Sequence, residues 1–111
     1  MLTIDGSFRE SAARYPDRIA LQYYQEEAWE KITYSEMENA VNITAAGLSD
    51  LGVDSQTKVA IMTENRPEWV VCYLAIQTVG ATAVPIDAQL GESETEHIMN
   101  HSGAKTIVCS L

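Results

Sequence analysis

Positive charge is in short supply in this chain. Only 7 of its 111 residues are lysine or arginine, against 16 aspartates and glutamates, which leaves a net charge of -9. Such a balance repels phosphate backbones and anionic lipid, and Arg9, Arg14, Arg18, Lys31, Lys58, Arg66 and Lys105 are dispersed rather than clustered. Nucleic acid is therefore not an expected partner. Long apolar runs are missing too. The densest, Trp69 to Ile76, falls far short of the roughly 20 residues that span a bilayer, and Met1 to Gly6 lacks the basic and apolar regions of a signal peptide. Both absences point to a cytoplasmic chain with no transmembrane segment. Cysteine occurs twice, as Cys72 and Cys109, with no Cys-x-x-Cys spacing and no cationic neighbour in sequence that would activate a thiolate, so both read as reduced core thiols. No Ser/His/Asp set, Gly-x-Gly-x-x-Gly fingerprint or Walker-type loop is present. Asn42-Ile43-Thr44 and Asn100-His101-Ser102 match the glycosylation pattern, but both fall in predicted helices and read as chance matches.

What is there suits one globular domain, with 46% hydrophobic and 21% charged residues, enough for a single core and too few residues for two. Ser7 to Tyr15 places Phe8, Ala12 and Tyr15 at helical spacing, and Pro16 stops it. Ile19 to Tyr24 and Ala28 to Ile32, rich in aromatic and β-branched residues, flank the polar turn Gln25-Glu26-Glu27 and predict a hairpin with Trp29 facing one of the two tyrosines. Thr33-Tyr34-Ser35-Glu36 is a capping box, in which hydroxyl and carboxylate each take up the other residue's amide. The helix it opens carries a stripe of Met37, Ala40, Val41, Thr44, Leu48 and Leu51, and Gly52 suits its left-handed terminus.

Lys58 to Asp87 reads as one βαβ unit. Lys58 to Met62 is apolar enough to be covered on both faces, as parallel strands are. Pro67 belongs in a first helical turn and Glu68 complements the helix dipole there. From Trp69 to Val79 the helix is apolar almost all round, with Gln77 and Thr78 as late exceptions, which requires burial on more than one side. Gly80 ends it, Ala81 to Ile86 forms the next strand, Glu92 to Ser102 a polar surface helix closed by Gly103, and Ala104 to Cys109 a third strand. The expected fold class is α/β: a three-stranded parallel βαβαβ layer with right-handed crossovers, preceded by a short helix and a β-hairpin. Residues 1–57 supply the helix, hairpin and capped helix of a single domain covering 1–111, and 58–111 the βαβαβ unit.

Several spaced motifs, in order, resemble the N-terminal region of adenylate-forming (AMP-binding) enzymes: Thr33-Tyr34 with Glu36, Leu51-Gly52-Val53, Lys58 to Met62, Asn65-Arg66-Pro67-Glu68-Trp69, Val84-Pro85-Ile86-Asp87 and Ser102-Gly103-Ala104-Lys105. The Asn-x-Pro-Glu-Trp form and Pro85-Ile86-Asp87-Ala88-Gln89-Leu90 look most like fatty acyl-CoA synthetases, the long-chain fatty acid CoA ligases. Gln56-Thr57 depart from the Gly-Asp usual there. The resemblance implies a whole enzyme that uses ATP and Mg2+ to convert a medium- or long-chain fatty acid to an acyl-adenylate and pyrophosphate, then transfers the acyl group to CoA. The same resemblance implies a Ser/Thr/Gly-rich phosphate loop ending in lysine, a Thr-Glu pair and a C-terminal domain with a catalytic lysine. None of these occurs in the 111 residues, so no catalytic, cofactor-binding or metal residue is assigned and the chain alone is expected to be inactive.

Asn65 could touch a ligand at the carboxyl end of its strand, where open parallel sheets bind ligands, though a loop-stabilising or capping role is simpler. Glu64, Arg66, Asp87 and Gln89 share that edge and that simpler reading. Glu94, His97 and His101 fall on one helical face at three- and four-residue steps and could share a metal, with a solvated polar face as the plain alternative. Expected partners are the remainder of the adenylation domain and, through exposed apolar surface, a second copy of the chain. Two other functions fit the sequence: a stand-alone α/β protein-interaction module and the start of an amino-acid-activating domain.

Overall fold

The first helix begins earlier than its apolar spacing implies, because Thr3, in extended conformation, caps it by accepting the Gly6 amide at 2.8 Å. In the computed structural model, which describes residues 3–109, α1 accordingly runs Ile4–Arg14, and Tyr15 leaves helical geometry ahead of Pro16. The outermost ends of the expected 1–111 domain lie outside the described residues. Phe8 packs at the edge of the main core and Ala12 is buried, so α1 lies across the rest as a lid.

Strands β1 (Ile19–Gln25) and β2 (Ala28–Thr33) pair antiparallel, with Tyr24 opposite Trp29 and their rings edge-on at 5.5 Å. The turn is tighter than predicted. Gln25 belongs to the strand, and Glu26 and Glu27 alone make the connection at φ 53 and 65. Two-residue turns need that left-handed backbone to match strand twist, and Asn-Gly normally supplies it. Two glutamates hold it here at about 1–2 kcal/mol each.

Helix α2 (Tyr34–Asp50) starts at the predicted capping box: the Glu36 amide donates to Thr33 Oγ1 at 3.1 Å and the Thr33 amide to Glu36 Oε1 at 3.0 Å. Thr33 holds the Glu36 carboxyl below its ordinary range, first through its backbone amide bonded to the carboxylate and second through its side-chain hydroxyl. Because the folded value lies below the unfolded one, the carboxylate's contribution is complete above the ordinary glutamate range and is lost as pH falls through the lowered value. Thr33→Ala is expected to cost about 1 kcal/mol. In acid titrations of stability, the difference between wild type and Glu36→Gln should shrink as pH falls through that window; a difference independent of pH would show that the carboxylate adds nothing to the cap.

The α2 stripe is narrower than the spacing suggested. Met37, Val41, Ala45 and Leu48 are buried, but Leu51 is the C-cap and 78% exposed. Its amide still bonds the Gly47 carbonyl at 3.1 Å, so Leu51 continues the helix but lies at the solvent side of the stripe. Gly52 takes the left-handed conformation at φ 91, and Asp54 closes the following turn, its Oδ1 accepting from the Gln56 amide and the Thr57 hydroxyl. Gln56-Thr57 thus form an ordered turn without the Gly-Asp pair.

The parallel sheet has the order β4-β3-β5, with β3 (Lys58–Met62) central, β4 (Thr82–Pro85) and β5 (Thr106–Cys109) at its sides. Both outer strands are shorter than predicted, and Ala81, Ile86 and Ala104, although buried, lie just outside them. The connecting helices are α3 (Pro67–Thr78) and α4 (Glu92–Ser102), the latter closed by left-handed Gly103. The chain steps from β3 to β4 one way and from β4 past β3 to β5 the other way, so crossovers of one hand must lie on opposite faces. They do: Val59 and Ile61 pack with α2 and α3, while Ala60 packs with Ile86, Ala104 and the α4 residues Ile98 and Met99. All three central β3 residues have zero exposure, as a strand covered on both faces must.

Cys109 is not a core thiol. It lies on an edge strand in register with Met62, is exposed, and is free like Cys72. Cys72 is half-buried, and burial, aided by the nearby Glu68 charge, pushes its thiol up. That keeps it protonated and unreactive. Among the described residues no helix is long and apolar enough to cross a membrane.

Candidate functional site

Parallel strands end together, so the loops after β3 and β4 converge at one edge of the sheet. There they enclose a cleft of about 670 Å³. Glu64, Asn65, Asp87 and Gln89, four of the five residues the sequence placed at this edge, line it. The fifth, Arg66, does not. It is the N-cap of α3 and turns toward the hairpin, pairing with Glu68 at 3.1 Å and Glu64 at 3.6 Å. Arg66 makes no side-chain cap, and Asn65 precedes the cap position, so the capping role considered for Asn65 is not the one it has.

Asp87 has a structural task. Its Oδ1 accepts from the Gln89 amide at 2.9 Å and its carbonyl from the Leu90 amide, an Asx turn that shapes the loop. Thr63 and Trp69 also line the cleft, and neither was expected there from the sequence. Trp69 stacks on Tyr73 at 5.3 Å with planes 8° apart. Their i, i+4 spacing was the available signal, since it puts both rings on one face.

With two carboxylates, two amides, a hydroxyl and an indole, the cleft offers no lysine or arginine to a triphosphate. Its residues do not fit ATP and Mg2+ as the phosphate site of an adenylating enzyme. A nucleophile paired with a base is lacking as well, and among the described residues no group of three or more His, Cys, Asp or Glu could hold a metal. His97 and His101 do meet on α4, with exposed rings 6.0 Å apart and 17° from parallel. Glu94 folds back toward Gly91 at the start of the helix, leaving a pair rather than the set of three.

On the hairpin side, Leu21 and Tyr23 of β1 face Pro67, Trp69 and Val70 of α3 across an open groove of about 300 Å³. A second opening of about 350 Å³ lies beside Ile32, Ala40, Val71 and Cys72. Of α3 only Leu74, Ala75 and Ile76 are fully buried. A helix apolar all round is thus covered at its C-terminal half and only partly at its N-terminal half.

Comparison with known proteins shows what the chain is similar to. The family model described as AMP-binding enzyme matches residues 8–111. Surfactin synthase subunit 1 of Bacillus subtilis (strain 168) is 34% identical over 106 residues, which cover 96% of this chain and 3% of that protein. Crotonobetaine/carnitine–CoA ligase of Shigella flexneri is 35% identical over 80 residues, 72% of this chain and 16% of that one. The Klebsiella oxytoca NpsA N-terminal subdomain, solved with 3-hydroxyanthranilyl-AMSN, superposes with a TM-score of 0.90 at 29% identity, covering 98% of this chain and 27% of its own. The chain therefore spans a small part of each of these relatives.

Proposed function

The chain belongs to the AMP-binding enzyme family, and from that membership we propose that it serves as the N-terminal scaffold of a longer enzyme that activates a carboxylic acid with ATP as an acyl-adenylate. The match over residues 8–111 carries this reading. The catalytic apparatus belongs to the remainder of the adenylation domain, for which the half-covered α3 and the hairpin groove provide a seat. Without it, the same apolar surface favours a second copy of the chain. The whole protein works as a ligase, and these 111 residues by themselves are inactive.

For the acid and its acceptor, the relatives that align with 96% of the chain are peptide synthases, which supports an amino-acid-activating domain. The Asn65 to Trp69 and Pro85 to Leu90 motifs, with the 35% identity to a CoA ligase, support a second reading: a fatty acid activated and passed to CoA. Both motifs are scaffold, so substrate assays must separate the two. Full-length protein should catalyse ATP–pyrophosphate exchange that depends on an amino acid under the first reading, or on a medium- or long-chain fatty acid, with CoA-dependent AMP release, under the second. The 111-residue chain should bind neither ATP nor acyl-CoA in calorimetry. Exchange with no acid, or a reading frame that ends at Leu111, would overturn the enzyme reading in favour of an α/β interaction module.

A further inference from the structure

We propose that α4 binds one divalent transition-metal ion through the imidazoles of His97 and His101, independently of the adenylating function. The two side chains lie one helical turn apart on the same exposed face, their rings 6.0 Å apart and close to parallel. Chelation needs metal–nitrogen distances of about 2.0–2.1 Å, hence ring nitrogens about 3 Å apart. Rotation about the Cα–Cβ bonds brings the rings closer, and the softer Cβ–Cγ torsion then turns a nitrogen of each toward a common ion. No backbone movement is required, because the helix already fixes both Cβ atoms.

Imidazole donors select Zn2+, Cu2+ and Ni2+ over Mg2+ and Ca2+, which prefer oxygen. Glu92, Glu94 and Glu96 on the same helix, in a chain of charge -9, add a field that favours any cation without serving as ligands. Water completes the coordination, so the site is a bidentate surface chelate and not a closed structural centre. Folding creates the paired geometry, so the ion stabilises the folded chain by linkage.

Titration of the 111-residue chain with Ni2+ in a calorimeter tests this. One ion per chain is expected, with a rise in Tm, and with affinity lowered roughly tenfold or more in either His97→Ala or His101→Ala. A third variant, His97→Ala combined with Glu96→His, keeps two histidines but separates them around the helix; it should bind as weakly as the single variants. Equal affinity in wild type and that variant would mean adventitious binding to surface histidines and would overturn the proposal. So would Ni2+-dependent dimers in sedimentation, which would place the ion between chains.

Discussion

Ile61→Ala is expected to destabilise the chain by about 3 kcal/mol and to lower Tm by about 15 °C. Ile61 has zero exposure in the central strand, between Pro85 of β4 and Val108 of β5, and its carbonyl accepts the Ile86 amide at 2.8 Å. Truncation removes the transfer energy of its methyl and methylene groups and leaves a cavity that a strand bonded on both sides cannot collapse to fill. For a domain whose total stability is about 5–15 kcal/mol, that is a large fraction. Leu51→Ala provides the contrast. By sequence both residues are apolar members of periodic elements, yet exposed Leu51 should change stability by no more than about 0.5 kcal/mol. Equal costs for the two in urea denaturation would contradict the placement of β3 at the centre.

Arg9→Ala is the second large effect, at about 2 kcal/mol, although charged residues near a surface are usually worth less. An isolated exposed ion pair contributes about 0–1 kcal/mol. Arg9 differs in being three-quarters covered and shared among three helices. Its guanidinium donates to Asn42 at 2.7 Å, Thr78 at 3.0 Å, Glu38 at 3.3 Å and Asp5 at 3.4 Å, and the Thr78 hydroxyl donates in turn to Asp5 at 3.0 Å. Hydrogen bonds to charged groups contribute about 1.5–3 kcal/mol where they are partly shielded. Removing Arg9 also leaves Asp5 and Glu38 without their cation and loosens α1 from α2 and α3. A double-mutant cycle with Thr78→Ala should give a coupling of about 1 kcal/mol. Strict additivity would show that Arg9 acts as an ordinary surface residue.

Arg9 also shows where sequence reading stops. Its partners Glu38, Asn42 and Thr78 are 29, 33 and 69 positions away, and no periodicity links them. Thr33 and Glu36 are the opposite case, because a capping box is complete within four residues. The candidate site falls between these. The sequence put Glu64, Asn65, Arg66, Asp87 and Gln89 at one strand edge, since parallel strands share a carboxyl end. It could not tell that Arg66 would leave the cleft to sit between Glu64 and Glu68, or that Trp69 would enter it, because both depend on side-chain direction at the first turn of α3.

Local chemistry thus determined every element type in order: the capped α2, the Pro67 start of α3, the glycines that close helices, and a β3 covered on both faces. The family came from the resemblance these motifs carry, and the match over residues 8–111 shows it. Tertiary structure decided the strand order β4-β3-β5, the opposite faces taken by α3 and α4, the exposure of Leu51 and Cys109, and the Arg9 network. Those features depend on contacts between residues far apart in the chain, and hydrophobic periodicity specifies which face of an element is buried without specifying what it is buried against.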